Sequence, residues 1–430
     1  MKLRIEKPIY GGAGLAREGG KAVFVPFTLP GETVEARIAE DHGGYAQAEL
    51  EAVIEPSPAR VAAPCPSFGA CGGCHYQHAG YAAQVEMKRS ILRETLDRAH
   101  IRDIPEIAAL TGEPLGYRNR IRLHVERNPF RLGYKLRKSR ITLPIDVCPI
   151  AAPALERAIG ALHRAGADLG LAALANELEL FTNADQSSLL LSLWTSCPAG
   201  EAQRLLAAAW PGLRDMLPAL TGAGVFSALK HRAPSQLLAR AGDPWLMYAV
   251  AGSDYRVSLG SFFQANRFLL DSLVRLVTDG ELGDNAWDLY AGVGLFSLPL
   301  ASIFAELTAV ESAAGSVRDL RENLRSNGPR PPRVVAADTA AFLRRAVEQP
   351  MAPPDLVVVD PPRAGLDRDV TTHLGKLRSP RITYVSCDPS TLSRDLAALL
   401  ESGYRLRRLH LVDLFPQTYH METVAHLTLG

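Results

Sequence analysis

The chain has 430 residues, enough for two or three domains, and its 47% hydrophobic content excludes global disorder. A formal net charge of only +1 means that any nucleic-acid partner must be bound by a local basic patch. Residues 1–7 lack the apolar segment of a secretory signal, and no run reaches the ~18 apolar residues of a membrane span. We therefore expect a cytoplasmic protein without membrane segments, whose six cysteines act as ligands or nucleophiles.

Residues 1–57 have the pattern of a small β domain. Short strand-like segments at 23–25, 33–38 and 48–54 are separated by glycine pairs typical of turns. About five such strands predict a small barrel of the OB type. Residues 1–60 contain seven Lys or Arg against nine Asp or Glu, which weakens any claim that this domain binds phosphates by charge alone.

Residues 58–255 are interpreted as a central α+β domain that begins with a cysteine-rich loop and a helix at about 79–100. Four cysteines form one candidate ligand set: Cys65, Cys71, Cys74 and Cys148. The two glycines between Cys71 and Cys74 allow a tight loop that turns two thiolates toward one centre. Four thiolates hold either a tetrahedral zinc ion or a four-iron, four-sulfur cluster, and the spacing does not choose between them.

A basic stretch at 114–140 is the candidate RNA-binding surface. It contains one acid, Glu126, and nine basic residues: Arg118, Arg120, Arg122, Arg127, Arg131, Lys135, Arg137, Lys138 and Arg140. The interleaved aromatic residues Tyr117, Phe130 and Tyr134 are predicted to stack on unpaired bases. The alternative is a solvated charged face with no partner.

Residues 256–430 are predicted to form a doubly wound, Rossmann-like α/β domain, because buried strand-like runs alternate there with helical patterns. Acids end three successive strands: Asp288, whose carboxylate can accept from an amine, Glu311, which can hold ribose hydroxyls, and Asp338, placed near an adenine amine. Singly, each acid is equally consistent with helix capping. Ser297 replaces the third glycine of a dinucleotide fingerprint, so S-adenosylmethionine (SAM) fits better than a dinucleotide.

Two further strand ends carry the reactive groups. Asp360 is followed by two prolines, which hold it rigidly at the cofactor edge. Cys387 ends the next strand and is the candidate nucleophile, and Glu422 opens the final strand and is the candidate base. A thiolate that adds to carbon 6 of uracil activates carbon 5 for methylation, and a base then removes the carbon-5 proton. The alternatives are a buried small thiol and a solvated glutamate.

Together these motifs, with the segment at 263–266, resemble the RNA 5-methyluridine methyltransferases of the 23S ribosomal RNA type. The resemblance covers essentially the whole chain. It implies an N-terminal TRAM domain, a four-iron, four-sulfur cluster on the four cysteines, and a helix at 79–100 that packs on the catalytic domain. It also implies a SAM pocket lined by five residues: Gln264, Tyr290, Glu311, Asp338 and Asp360.

The sequence departs from that family at two positions beside the cofactor. Ala291 stands where a cysteine is usual, and Leu295 where an asparagine is frequent, so Leu295 is not counted as a ligand. We expect a monomeric enzyme that methylates ribosomal RNA, with Cys387 as nucleophile and Glu422 as base. The alternatives are a transfer-RNA enzyme with the same chemistry and a non-enzymatic, redox-sensing RNA-binding protein.

Overall fold

Four β-sheets organise the described part of the chain, which in this computed structural model comprises residues 1–228, 235–325, 331–349 and 352–430. The sheets have six, seven, two and eight strands, and helices cover the larger ones. No helix within these ranges is long and apolar enough to cross a membrane. The predicted mixed α/β class is confirmed.

The six-stranded sheet forms the N-terminal domain. Its strands are β1 (Lys2–Arg4), β2 (Lys7–Pro8), β3 (Ala13–Glu18), β4 (Lys21–Pro26), β5 (Thr33–Asp41) and β6 (Tyr45–Glu55). The strand order is β1-β5-β6-β4-β3-β2, so its two end strands are consecutive in the chain. In the segment between these two strands, the Ile5 N–H donates to the Glu32 carbonyl at 2.9 Å, and the Glu6 N–H donates to the Leu15 carbonyl of β3 at 2.7 Å. The sheet therefore curves back on itself, as the predicted barrel requires.

The seven-stranded sheet forms the central part of the molecule. Elements between residues 81 and 258 are α1 (Tyr81–Arg98), β7 (Ile107–Leu110), β8 (Arg120–Arg127), β9 (Phe130–Lys135), β10 (Thr142–Pro144), α2 (Pro153–Ala165), α3 (Leu171–Leu174), β11 (Glu177–Thr182), β12 (Leu189–Thr195), α4 (Ala199–Met216), β13 (Leu220–Ser227), β14 (Leu237–Gly242), β15 (Trp245–Val250) and β16 (Ser253–Ser258). The sheet order is β10-β9-β8-β11-β12-β13-β14, with only β12 and β13 parallel. Buried leucines of α2 and α4 share one apolar core with its strands.

The eight-stranded sheet is the doubly wound domain. Its elements from residue 270 onward are α5 (Leu270–Thr278), β17 (Asn285–Leu289), α6 (Ser297–Ile303), β18 (Glu306–Glu311), α7 (Ala314–Leu324), β19 (Arg333–Ala336), α8 (Thr339–Glu348), β20 (Leu356–Val359), α9 (Arg368–Leu377), β21 (Arg381–Ser386), α10 (Pro389–Glu401), β22 (Tyr404–Val412) and β23 (Glu422–Leu429). The order is β19-β18-β17-β20-β21-β23-β22-β7, with β23 antiparallel to both neighbours. The order reverses between β17 and β20, where the carboxyl ends of the strands open a crevice for a ligand.

Two elements that precede the central sheet in sequence lie on this last domain. Strand β7 pairs in parallel with β22 and forms the edge of the eight-stranded sheet. Helix α1 packs against β7 and α10 through a buried apolar face that includes Ile91, Leu92 and Leu96. Residues 81–110 are therefore joined to the C-terminal domain by both hydrogen bonds and apolar contact.

A buried ion pair fixes α1 to the loop between β22 and β23. The Lys88 ammonium lies 2.5 Å from the Asp413 carboxylate, and both side chains are fully buried. The same ammonium donates to the Phe415 carbonyl at 2.9 Å. One turn earlier on α1, the side-chain amide of Gln84 exchanges two hydrogen bonds with Gln417. Helix α1 thus determines the path of the chain that leads to Glu422.

Other segments hold the same loop from the opposite side. The buried Tyr117 hydroxyl donates to the Pro416 carbonyl at 3.0 Å. The N–H groups of His75 and Tyr76, just after the cysteine-rich loop, donate to the Gln417 carbonyl at 2.8 and 2.9 Å. The loop at 413–421 is therefore the place where the central domain and the C-terminal domain meet.

Replacing Lys88 by methionine tests how much this attachment contributes. Lys88→Met leaves the Asp413 carboxylate buried without its cation, so we expect the free energy of unfolding to fall by about 3–5 kcal/mol. Lys7→Met is the matched control, because Lys7 pairs with Glu94 on the exposed face of the same helix, where a pair contributes about 1 kcal/mol or less. Urea denaturation followed by circular dichroism measures both. Equal losses in the two variants would contradict the assigned role of Lys88.

Candidate active site

Cys387 and Glu422 lie directly beside the last residue pair of two adjacent strands. Strand β21 ends at Ser386, and the antiparallel register pairs Ser386 with Thr423 of β23. The Thr423 hydroxyl also donates to the Ser386 carbonyl at 3.0 Å. One position further along each strand come Cys387 and Glu422. The candidate nucleophile and the candidate base are therefore held at one edge of the sheet by strand pairing.

Glu422 is a buried carboxyl group with unused hydrogen-bonding capacity. Its side chain is 2% exposed, and its Oε1 has no hydrogen-bond partner among the described residues. Burial raises the pKa of Glu422 well above its usual range, the negative charge of Asp360 raises it further, and the Arg363 guanidinium opposes both. A buried carboxyl group of raised pKa is suited to accept a proton near neutral pH.

Cys387 is a half-buried thiol surrounded mainly by carboxylates. Burial raises the pKa of Cys387 to about 12, with contributions from the charges of Glu422, Asp360 and Asp388, while Arg363 lowers it. These surroundings favour the protonated thiol, and the positive charge of Arg363 favours the thiolate.

Asp360 lies between this pair and the end of β17, where the predicted cofactor residues begin. It directly follows β20, and its N–H donates to the Leu289 carbonyl of β17 at 3.4 Å. Burial and the negative charge of Asp288 raise the pKa of Asp360 to about 7. Asp360 thus lies between the groups at the end of β17 and the pair formed by Cys387 and Glu422.

The loop that follows β17 contains Gly292 and Gly294, and Glu311 holds it in place. Tyr290 adopts a φ of 62°, a left-handed conformation that turns the chain sharply at the end of the strand. The Gly292 N–H donates to Glu311 Oε2 at 2.9 Å, and Ser312 and Ala313 donate to Oε1 at 2.7 and 2.6 Å. Glu311 therefore fixes the shape of the loop, in addition to any contact that it makes with a ligand.

The remaining predicted cofactor residues have different surroundings. Asp288 is fully buried, its Oδ1 has no partner among the described residues, and burial raises its pKa to about 7. Asp338 is exposed and accepts from the Ala341 N–H at 3.1 Å as the N-cap of α8, as the capping alternative predicts. Gln264 is buried, and its backbone carbonyl accepts a hydrogen bond from the Asn119 side chain at 3.1 Å.

The four cysteines of the candidate ligand set line one small cavity of about 40 Å³. Cys148 is buried and the other three are half-buried. The Gly73 N–H donates to Cys71 Sγ at 3.4 Å, and the Tyr134 hydroxyl lies 3.7 Å from Cys148 Sγ. Within residues 1–228, 235–325, 331–349 and 352–430, no three His, Cys, Asp or Glu side chains are placed to hold a single metal ion.

The basic stretch divides into buried and exposed parts. Tyr117 is 0% exposed and Phe130 is 7% exposed, so the prediction that these rings stack on bases is wrong, because both belong to the central apolar core. Arg120 is also used internally, with its guanidinium 4.1 Å from the centre of the Phe181 ring. Arg122, Arg127 and Arg131 are exposed. Four further basic residues line an open groove of about 630 Å³: Lys135, Arg137, Lys138 and Arg140.

Sequence reasoning gave no role to several residues that surround Cys387. Arg363 ends the segment that begins at Asp360. A cation three residues after a predicted site acid was the sequence signal that could have identified it. Tyr10 and Asp388 are joined by a hydrogen bond of 2.9 Å across 378 positions of the sequence. Such a contact leaves no local pattern, because both residues are unremarkable in their own segments.

The comparisons with known proteins agree with this architecture of a barrel, a central sheet and a doubly wound α/β enzyme domain. Residues 351–429 match the family model described as tRNA (Uracil-5-)-methyltransferase, and residues 1–50 match that of the TRAM domain. The 23S rRNA (uracil(1939)-C(5))-methyltransferase RlmD of Shewanella amazonensis is 33% identical over 99% of this chain and 95% of its own length. An Aquifex aeolicus relative named as an uncharacterized RNA methyltransferase is 32% identical, over 99% of this chain and 98% of its own.

A solved structure shows the same fold over the full length. The tRNA (uracil-54, C5)-methyltransferase of Pyrococcus abyssi, in complex with S-adenosyl-L-homocysteine, superposes with a TM-score of 0.79, 24% identity and complete coverage of both chains. The chain described here belongs to the RNA uracil-C5 methyltransferase family.

The charge of Arg363 can be tested without substrate. Arg363→Gln is expected to raise the pKa of Cys387, so alkylation by iodoacetamide at pH 8 should slow several-fold. Below the thiol pKa the alkylation rate should rise about tenfold per pH unit in both proteins, because only the thiolate reacts. Mass spectrometry of the Cys387 peptide measures the rate. Arg363→Lys keeps the charge and should stay close to the unmodified protein; equal slowing in both variants would show that charge is not the cause.

Proposed function

We propose that this protein is a SAM-dependent methyltransferase that forms 5-methyluridine in RNA, with 23S ribosomal RNA as its substrate. The observation that carries the proposal is the pairing of Ser386 with Thr423, which brings the neighbouring residues Cys387 and Glu422 to the same edge of the sheet. The choice of ribosomal RNA follows from the names of relatives that align with nearly the full length of this chain.

The proposed reaction uses Cys387 to make carbon 5 of uracil reactive. The Cys387 thiol first releases its proton to solvent, and the thiolate then adds to carbon 6. This addition forms an Sγ–C6 bond and moves the electron pair of the ring double bond into an enolate. Bound SAM supplies the electrophilic methyl group that carbon 5 then takes. Glu422 removes the carbon-5 proton, the double bond re-forms, and the Sγ–C6 bond breaks to release Cys387.

The surroundings of Glu422 support its role as the base. A carboxylate in water is a weak base, but burial and the charge of Asp360 raise the pKa of Glu422 well above its usual range. Its unpartnered Oε1 leaves a free acceptor for the carbon-5 proton. Asp360, on its proline-stiffened loop, would hold the target base against the same edge.

The cofactor edge fits SAM through its open loop and its unused polar atoms. Gly292 has a φ of 58° and faces open space within 4 Å of the position that a Cβ would take, so a ligand can approach its backbone. Asp288 offers a buried, unpartnered Oδ1. We propose that the cofactor is held by five residues around this loop: Gln264, Tyr290, Glu311, Asp338 and Asp360.

The RNA itself would be bound mainly outside the reaction pocket. A uridine in a helix must leave its stack to reach Cys387, so the flanking strands need their own contacts. The open groove lined by Lys135, Arg137, Lys138 and Arg140 offers clustered positive charge for the phosphates in a nearly neutral protein. Acting on ribosomal RNA would place the protein in the cytoplasm. We also propose that the protein is a monomer.

We also propose that Cys65, Cys71, Cys74 and Cys148 hold a four-iron, four-sulfur cluster. Each thiolate binds a different iron of such a cluster, so the sulfurs stand further apart than around one ion. The observation that supports a shared metal centre is that all four cysteines line one cavity. The cluster would cross-link the cysteine-rich loop at 65–74 to the segment after β10, which carries Cys148.

The absorption spectrum of the protein distinguishes the cluster from zinc. Anaerobically purified protein should show a broad band near ~400 nm and about four irons per chain, because thiolate-to-iron charge transfer absorbs there. Cys71→Ser should remove both signals, whereas Cys197→Ser, outside the ligand set, should keep them. A colourless protein that contains zinc would refute the cluster.

Two substitutions test the catalytic pair. Cys387→Ala should bind RNA but transfer no methyl group, because carbon 5 is never activated. Glu422→Gln should accumulate a covalent adduct between protein and RNA, since carbon 5 keeps its proton and Cys387 cannot leave. Labelled SAM with total RNA from cells lacking the gene measures transfer, and a denaturing gel detects the adduct. Methylation by Cys387→Ala would refute the mechanism, and absence of the adduct would refute Glu422 as the base.

The same assay separates the remaining candidate functions. The fold is shared with a transfer-RNA enzyme, so a label that maps to transfer RNA would support the transfer-RNA alternative. A protein that binds RNA but transfers no label to any RNA would support a non-enzymatic, redox-sensing role. Label at one uridine of 23S ribosomal RNA is the result that we expect.

A further inference from the structure

A turn of the N-terminal barrel reaches the loop that carries Cys387. Tyr10 lies between β2 and β3, and its hydroxyl donates to Asp388 Oδ2 at 2.9 Å. Asp388 directly follows Cys387 and is the N-cap of α10. Its other oxygen, Oδ1, accepts from the N–H groups of Ser390 and Thr391 at 2.9 and 3.0 Å. One carboxylate therefore joins the barrel, the nucleophile loop and the start of a helix.

The same tyrosine also touches the segment that leads to Glu422. The Tyr10 ring packs edge-on against Tyr419, with 5.3 Å between ring centres. Tyr419 in turn lies 4.2 Å from the His420 ring, two residues before Glu422. Tyr10 thus contacts both of the loops whose ends carry the proposed nucleophile and the proposed base.

The turn that presents Tyr10 is closely fitted to its neighbours. Gly12 has a φ of +89°, and a Cβ there would lie 3.0 Å from the Cβ of His75. Only glycine combines that conformation with that close approach. Lys7, on the strand before the turn, pairs with Glu94 of α1 at 2.6 Å. Burial and the Asp388 charge raise the pKa of Tyr10 far above its usual range, so the hydroxyl remains a donor at working pH.

We propose that Tyr10 is a positioning residue for Cys387, through which the N-terminal barrel fixes the geometry of the reaction. This inference rests on the proposed function for its catalytic consequence. It gives the barrel a task that suits its composition, since seven basic against nine acidic residues in 1–60 provide little attraction for phosphates. The barrel then acts on the rate of the reaction as well as on any contact with RNA.

The physical effect of Tyr10 is to fix Asp388 Oδ2, and with it the backbone of the preceding residue. Without the hydroxyl, the carboxylate keeps its helix cap but loses the restraint on its other oxygen. Small displacements of a nucleophile lower reaction rates strongly, because attack requires short distances and aligned orbitals. The donated proton also offsets part of the carboxylate charge next to the thiol.

Tyr10→Phe tests the proposal because the ring, and with it the packing on Tyr419, remains. The single-turnover rate of methylation at saturating RNA should fall about tenfold, while the RNA dissociation constant stays unchanged. Tyr45→Phe is the matched control, since Tyr45 lies on the same barrel, is 40% exposed and stacks on His42 instead. An unchanged rate for Tyr10→Phe, or weaker RNA binding with an unchanged rate, would overturn the proposal.

A double-mutant cycle tests whether the effect passes through Asp388. In the Asp388→Ala background, Tyr10→Phe should cause no further loss of rate, because its partner is gone. A second tenfold loss would show that Tyr10 acts by another route and would contradict the proposal.

Alkylation of Cys387 separates this inference from the proposed function, because it needs no RNA. Iodoacetamide should label the Cys387 peptide at least about threefold more slowly in Tyr10→Phe than in Tyr45→Phe. If that difference appears but the unmodified protein methylates no RNA, the proposed function fails and the positioning contact stands. If the unmodified protein methylates RNA and both variants match it in rate and labelling, only the positioning role fails.

Discussion

The buried ion pair between Lys88 and Asp413 is the constraint on which the arrangement of this molecule depends. A charge that is buried without its partner strongly destabilises a fold. The Lys88–Asp413 pair therefore holds α1 in one position against the loop at 413–421. The loop contains Gln417, whose carbonyl accepts two backbone hydrogen bonds from the cysteine-rich segment. The loop leads directly to Glu422. The position of the proposed base is therefore set by contacts from α1, from the cysteine-rich segment and from Tyr117.

Electrostatics gives the candidate site its chemical character. Three carboxyl groups, Asp288, Asp360 and Glu422, have raised pKa values because they are desolvated and lie near other negative charges. The same surroundings raise the pKa of Cys387 to about 12, and Arg363 is the opposing charge. Burial therefore favours the neutral form of each of these groups, whereas Arg363 favours the charged forms of Cys387 and Glu422.

The strand ends were accessible to sequence reasoning because they obey local rules. Apolar runs alternating with helical patterns predicted the doubly wound domain, and groups at carboxyl ends of parallel strands must meet at one edge. The basic stretch shows where such reasoning fails. Tyr117 and Phe130 alternate with cations just as exposed stacking rings would, yet they fill the central core. Composition alone does not tell which face of a strand is covered by a helix.

The sequence by itself determined the class of fold and predicted the roles of Cys387, Asp360 and Glu422, because both follow from short segments with local physical meaning. The tertiary structure decided what lies around them. It paired β23 between β21 and β22, brought Tyr10 onto Asp388 and set Lys88 against Asp413. The last two of these contacts join residues more than 300 positions apart, and the energies of all three depend on burial, which exists only once the chain has folded.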